Sequence, residues 1–331
     1  NFDFAWGADG ATIFFGARNL GAGEAGLGLG GIFAVQEDGT GLRRILPRGY
    51  AIEAGAPNGG VLFVSFYSHA TAEPECVQQR LDLLTGQRMP SARPARSDWI
   101  TYGARDNQFL FVRDGRRFAE TIWAMELTAD GQISREWEVA KDPGRFLARP
   151  QLSPDKRRIV WIRKGDDPYL IDEIMVQSEG GEPKVVLPLP LDDQTGLGGL
   201  FYWLADSRRI LYYTNSGPKV ADVDTKEVID YAAYIERSGK LERGLFRSLR
   251  WFTPNPRDAN RMACVVRRPK GENAFGQYVA VMDFDGGNFR QITTDGPDNI
   301  PFAYDPKYDT PGATEVTPKT TEPAAANDQG R

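Results

Sequence analysis

Six short polar turns recur along this chain at nearly even intervals, and that recurrence constrains the fold more than any other feature. Their anchor residues are Asp9, Asn58, Asp106, Asp155, Asp206 and Asp258, spaced by 49, 48, 49, 51 and 52 residues. Asp and Asn suit such places because their side chains bond nearby backbone N–H groups and tolerate tight turns. An apolar run stands on each side of the turn. Phe4-Ala5-Trp6 and Ile13-Phe14-Phe15 flank the first, Arg149-Pro150-Gln151-Leu152 and Ile159-Val160-Trp161 the fourth, and Phe201-Tyr202-Trp203 and Ile210-Leu211-Tyr212 the fifth. A third run follows in every unit: residues 31–35, 77–83, 121–127, 173–176, 219–223 and 278–283. Each is closed by a polar turn such as Glu37-Asp38-Gly39 or Asp285-Gly286-Gly287, and a short fourth run ends most units, as in Phe289-Arg290-Gln291-Ile292-Thr293.

Four short strands in a unit of about fifty residues is the arithmetic of a β-propeller. One such meander cannot bury both faces, whereas a ring of them can. The β-branched and aromatic residues of the second strands suit sheets buried on both sides. The expected fold class is therefore all-β, a β-propeller of six four-stranded blades. Seven blades stay open, because Ile300-Pro301-Phe302-Ala303-Tyr304-Asp305-Pro306 reads like another first strand and Asp309 lies 51 residues after Asp258. The expected division is a propeller over 1–298 and an extended C-terminal segment over 299–331, where Pro311, Pro318 and Pro323 stand among few large apolar residues. A two-sheet sandwich would explain the strands but not their spacing. A parallel barrel needs repeated helices, and only Val228 to Glu236 reads as one short helical turn.

These units resemble the WD40-like repeats of TolB-type β-propellers. The resemblance rests on Pro150, Ser153-Pro154-Asp155 and Ile159-Val160-Trp161, and on Val281-Met282-Asp283-Phe284-Asp285-Gly286-Gly287 with Gln291-Ile292-Thr293. It spans about residues 2 to 294 and departs from the WD40 pattern in lacking Gly-His and Trp-Asp signatures. It implies the propeller fold. The family includes periplasmic proteins that bind envelope partners and propellers attached to peptidases, and no peptidase domain fits in this chain.

Composition removes several functions. The formal charge is −5, from 40 Lys plus Arg against 45 Asp plus Glu, which argues against a nucleic-acid partner. The single histidine, His69, excludes a two-histidine metal site, and no Gly-x-Ser-x-Gly elbow accompanies it. Cys76 and Cys264 are the two cysteines. They are expected to be free buried thiols, with a long-range disulfide as the alternative. No apolar run approaches the roughly 18 residues of a membrane span. Asn1 opens directly on strand-like sequence, which a removed signal peptide would explain.

Candidate sites fall on loops. The glycine-rich stretch Asn19 to Gly30 does not follow a strand and open a helix, so it is read as a mobile loop rather than a dinucleotide site. His69, with Glu73 and Glu75 as carboxylate neighbours, is read as a plain loop histidine. Asp166-Asp167, Asp192-Asp193 and Asp283 with Asp285 lack EF-hand spacing and read as solvated turns. Arg43-Arg44, Arg116-Arg117, Arg157-Arg158 and Arg208-Arg209 are basic pairs that would make a charged partner-binding rim if they share one end of the ring. Trp99, Trp203 and Trp251 are placed near the inner strands as core residues rather than sugar platforms.

No catalytic, cofactor-binding or metal-binding residue is assigned, and no cofactor is expected. The first functional reading is a non-catalytic protein–protein interaction module, or a subunit of a cell-envelope or secreted assembly. It carries a protein partner, no transmembrane segment and a periplasmic or secreted location. The alternative is a carboxylate-based enzyme, or a propeller that binds a small ligand or carbohydrate.

Overall fold

The structure is a computed structural model. It describes residues 4–293 apart from 8, 18–30, 47–49, 56–60, 69–74, 83–86, 92–96, 104–106, 114–119, 165–172, 189–200, 215 and 270–274. The extended segment expected over 299–331 lies outside the described residues.

The described strands form antiparallel meanders. The first sheet is β1 (Phe4–Trp6), β2 (Thr12–Ala17), β3 (Gly31–Gln36) and β4 (Arg43–Leu46). The second is β5 (Tyr50–Gly55), β6 (Val61–Ser68), β7 (Glu75–Asp82) and β8 (Arg88–Pro90). The third is β9 (Ser97–Tyr102), β10 (Gln108–Arg113), β11 (Thr121–Leu127) and β12 (Ile133–Lys141). The fourth is β13 (Phe146–Leu152), β14 (Arg158–Lys164), β15 (Glu173–Ser178) and β16 (Lys184–Pro188). The fifth is β17 (Phe201–Trp203), β18 (Arg209–Thr214), β19 (Gly217–Asp222) and β20 (Val228–Asp230). The last is β21 (Leu249–Pro254), β22 (Arg261–Pro269), β23 (Phe275–Asp283) and β24 (Arg290–Gln291).

The expectation of six four-stranded blades, with seven as the alternative, is corrected here. Five sheets have four strands of three or more residues, and the last has a fourth strand of only two, Arg290 and Gln291. The Val279 N–H donates to the Thr293 hydroxyl at 2.9 Å instead of continuing the backbone ladder, and both Ile292 and Thr293 N–H groups turn onto the Val279 carbonyl. The seventh-blade segment, Ile300 to Pro306, lies outside the described residues.

Apolar clusters lie between sheets, which is what makes the sheets a ring. Phe33 and Ile13 of the first sheet pack with Val279 and Val281 of the last. Ile32 and Phe14 pack with Val64 and Leu81 of the second. Val112, Trp161 and Ile210 join the third, fourth and fifth. Leu211 and Phe252 join the fifth and last. The first and last sheets therefore meet at one seam, and among the described residues no strand is shared between them. Asn255 Nδ2 donates to the Gly10 carbonyl at 2.7 Å across that seam. Gly10 has φ +69°, and a Cβ there would lie 3.1 Å from Asn255 Oδ1, so the close approach and the left-handed turn both call for glycine.

The all-β class holds, with one short α-helix among the strands. Where one short helical turn is expected, the chain forms α1 (Tyr231–Ser238). Asp230 caps its start by accepting the Ala233 N–H at 2.9 Å, and Gly239 ends it in the left-handed conformation. Its buried face, Tyr231 and Ile235, fills the gap between the fifth and last sheets.

Candidate functional site

The first strand of each sheet is an edge strand, and consecutive first strands lie against one another around the ring axis. Four of them break register. The shift lies at Ile52/Ala54 in β5, opposite Leu110/Val112 in β9, at Ala148/Gln151 in β13 and at Arg250/Thr253 in β21. A bulge bends a strand and re-aims its side chain, and such bulges concentrate beside binding sites.

Two of these bulges are alike in detail. Arg149 has φ 51° and Trp251 has φ 47°. Each stands three residues before the strand's last residue, Leu152 or Pro254. A non-glycine residue in this region costs about 1–3 kcal/mol, so surrounding structure must hold it. Both side chains are half-buried. Burial pulls Arg149 below the ordinary arginine range while nearby Tyr202 works the other way, and the guanidinium remains charged. Trp99 lies at the corresponding place in β9, three residues before Tyr102; its side chain lies outside what the structure describes.

The bulges are braced from neighbouring sheets. Tyr213 of β18 donates its hydroxyl to the Phe252 carbonyl at 3.2 Å and accepts the Phe252 N–H. Trp6 Nε1 donates to the Thr253 carbonyl at 3.1 Å, and Trp203 Nε1 to the equivalent Gln151 carbonyl at 3.4 Å. Gln151 Nε2 returns a bond to the Phe201 carbonyl at 2.8 Å. Trp203, 7% exposed, is thus a core clasp, as expected. Trp251 is instead half-buried on a strained backbone.

The basic pairs of the fourth and fifth units share the end of the ring that carries the first-strand turns, but much of their charge is matched within the chain. Arg158 pairs with Asp224 at 2.9 Å, and Arg209 with Asp206 at 2.6 Å while lying 4.8 Å over the Phe284 ring. Arg208 pairs with Asp222 at 2.5 Å. Arg157 is exposed. Arg43 and Arg44 begin β4 half-buried. Arg116 and Arg117 lie outside the described residues.

The Asp283 and Asp285 carboxylates are both engaged within the chain. Asp283 meets Arg261 at 3.0 Å and Asn288 at 2.6 Å, and Asp285 accepts the Gly287 N–H at 3.0 Å and pairs with Lys240. Lys240, then the Gly287 N–H, hold the Asp285 carboxyl below its ordinary range. Among the described residues no group of three or more His, Cys, Asp or Glu side chains could hold a metal ion. Cys264 is a free, buried thiol, which removes the long-range disulfide; the side chain of Cys76 lies outside what the structure describes. Asn19 to Gly30, His69, Glu73, Asp166, Asp167, Asp192 and Asp193 also lie outside the described residues, as does the Glu75 side chain. No helix among the described residues is long and apolar enough to cross a membrane.

A hollow of about 830 Å³ opens beside α1, lined by Ile235, Lys240, Leu241, Arg243, Phe246 and Arg247 among others. It is built from one stretch of chain beside the fifth and last sheets, and its Phe246 stacks on Phe252 of the β21 bulge, with ring centroids 5.5 Å apart.

The inner-strand bulges are not named by the sequence reading. One signal for them exists: Pro150 within a first strand cannot continue a regular ladder and is confined to an edge or a bulge.

The chain matches no protein-family model and no curated protein. Solved structures do resemble it. TolB from Acinetobacter baumannii superposes with a TM-score of 0.54 at 17% identity, covering 86% of this chain and 64% of that one. The oligogalacturonate lyase of Vibrio parahaemolyticus superposes at 0.50 with 12% identity, covering 83% and 76%. An oligogalacturonate lyase in complex with manganese gives 0.50 at 13%, covering 87% and 75%. At these identities the likeness is one of fold. The chain is a β-propeller related in structure both to TolB-type propellers and to propeller enzymes.

Proposed function

We propose that this chain is a ligand-binding propeller whose site is the axial region at the bulged first strands, and that its ligand is an acidic carbohydrate. One observation carries the reading: Arg149 and Trp251 occupy equivalent places on two first strands, both in a backbone conformation that neither residue favours. Strain of this kind is retained where it positions a side chain. The chemistry of the pair is complementary. A guanidinium fork matches a carboxylate, and an indole offers a flat apolar face to a sugar ring. Two of the similar structures are named for oligogalacturonate, which makes that polymer a suitable probe.

The proposal is one of binding without turnover. Isothermal titration with oligogalacturonate and with an uncharged oligosaccharide of equal length tests it. Binding of the acidic ligand only, lost in Trp251→Ala and Arg149→Gln, supports the reading. Release of shortened or unsaturated sugar would show an enzyme instead.

A second reading keeps the interaction module of a cell-envelope or secreted assembly. It is favoured by Lys156, Arg157 and Arg208, which are exposed together at the turn-bearing end, and by the fold likeness to TolB. A periplasmic or secreted location belongs to this proposal and is tested by cell fractionation.

A further inference from the structure

The hollow beside α1 has walls that are held in place on both sides. Ser238, the last residue of α1, donates its hydroxyl to the Asp285 carbonyl at 2.7 Å, and Lys240 pairs with the Asp285 carboxylate. Both contacts tie the first wall to the turn between β23 and β24. A Cβ at Gly286 of that turn would lie 3.2 Å from Ile235 Cγ2 and from Leu241 Cβ, so wall and turn are in direct contact. The second wall is a 3₁₀ turn, Leu245–Ser248. Its Phe246 ring, stacked on Phe252, also meets Tyr231 edge-on at 6.1 Å, and Arg250 donates to the Arg247 carbonyl at 2.7 Å.

The lining combines two kinds of side chain. Ile235, Leu241 and Phe246 are its apolar part, and Glu236, Glu242, Arg243 and Arg247 line it with charge. All four charged residues are exposed. Among the described residues, none of them makes a side-chain hydrogen bond or an ion pair, with one another or with any neighbour. Opposite charges do pair at several other places in the ring: Arg163 meets Asp142 at 2.9 Å and also Glu173, and Arg113 meets Glu136. Here two carboxylates and two guanidiniums line one hollow of about 830 Å³ and stay apart. Lys240, also in the lining, is already matched by Asp285. The unpaired charge is therefore balanced. A simple anion or a simple cation would meet repulsion as well as attraction there, whereas a molecule that carries both charges finds a partner for each.

We infer that this hollow is a binding site for a short zwitterionic peptide, of about two or three residues, that carries an apolar side chain. The size suits it, since small-ligand sites span roughly 300–1,000 Å³. Glu236 and Glu242 receive the ammonium, the forks of Arg243 and Arg247 receive the carboxylate, and the side chain lies on Ile235, Leu241 and Phe246. Arg149 and Trp251 are not among the lining residues, and this site does not depend on the one proposed at the inner-strand bulges.

The test is calorimetric titration of leucyl-leucine into the whole chain at about pH 7, where both peptide ends carry charge, with ionic strength held constant. N-acetyl-leucyl-leucine, which lacks the ammonium, and leucyl-leucinamide, which lacks the carboxylate, are titrated beside it. Saturable binding of leucyl-leucine, weakened at least about tenfold in each blocked peptide, is expected. Arg243→Gln combined with Arg247→Gln is expected to lose the preference over the amide and keep the preference over the acetyl form. Glu236→Gln combined with Glu242→Gln is expected to do the reverse. All four positions are exposed, so both variants are expected to unfold at the wild-type midpoint. No binding by wild type, equal affinity for the three peptides, or wild-type preferences in either double variant overturns the inference.

Discussion

The hydroxyl of Tyr213 satisfies both backbone groups of Phe252, a residue of the neighbouring sheet. The bulge in β21 removes Trp251 and Phe252 from their ladder with β22, and a buried peptide unit without partners is unfavourable. A side chain from β18 supplies what the missing ladder does not. Burial raises the Tyr213 phenol well above its ordinary range, so the group stays protonated and can donate. Tyr213→Phe is expected to lower unfolding stability by about 1–3 kcal/mol. If the Trp251 conformation belongs to the binding site, the same change also weakens ligand. Chemical denaturation and titration on one preparation check both effects.

Trp6 and Trp203 make the same clasp at two seams, and their lengths differ, 3.1 Å against 3.4 Å. Trp6 joins the first sheet to the last. Trp6→Phe is expected to cost more than Trp203→Phe, by on the order of 1 kcal/mol. Denaturant midpoints of the two variants give the ordering directly.

Arg261 is the polar counterpart of that closure. Its guanidinium, 15% exposed, lies 3.4 Å from Glu37 and 3.0 Å from Asp283. Arg261→Gln leaves two carboxylates facing one another, and a loss of about 2 kcal/mol is expected. Glu37→Gln in the same background should recover part of it. A double-mutant cycle on unfolding free energies measures that coupling.

The turn aspartates set the response to acid. At Asp206, burial opposes ionisation, but the Arg209 and Arg208 N–H groups and the Arg209 guanidinium outweigh it and leave the carboxyl below its ordinary range. At Asp155, burial again opposes, and the Ser153 hydroxyl, the Arg157 N–H and nearby arginine charge outweigh it. A folded pKa below the unfolded value of about 3.9 stabilises the protein above that value. The contribution is lost as pH falls through the folded pKa. The thermal midpoint is thus expected to hold from pH 7 to about 5 and to fall below about 4, with a shallower fall in Asp206→Asn.

Much of this fold is legible in the sequence because it rests on local rules. Asp9, Asp155 and Asp206 bond their own turns, and the central strands are apolar on both faces, as the second strand β10 and the third strand β3 show. Other features are not local. β24 is cut short by a hydroxyl fourteen residues from the N–H it takes. The eight residues of α1 owe their order to Tyr231 docking on the last sheet, where its hydroxyl meets the Phe284 carbonyl at 2.9 Å. The candidate site is less legible still. Arg149 and Trp251 look like ordinary strand residues, and only the pairing of β13 with β14 and of β21 with β22 reveals the bulges.

The most direct test of the account is calorimetric titration of oligogalacturonate into wild type and Trp251→Ala, with circular dichroism confirming that both are folded. Saturable binding by wild type that is at least about tenfold weaker in the variant, a difference of about 1.4 kcal/mol, is the expected result. Equal affinity in the two proteins, or no binding by wild type, would contradict a carbohydrate site at the inner-strand bulges.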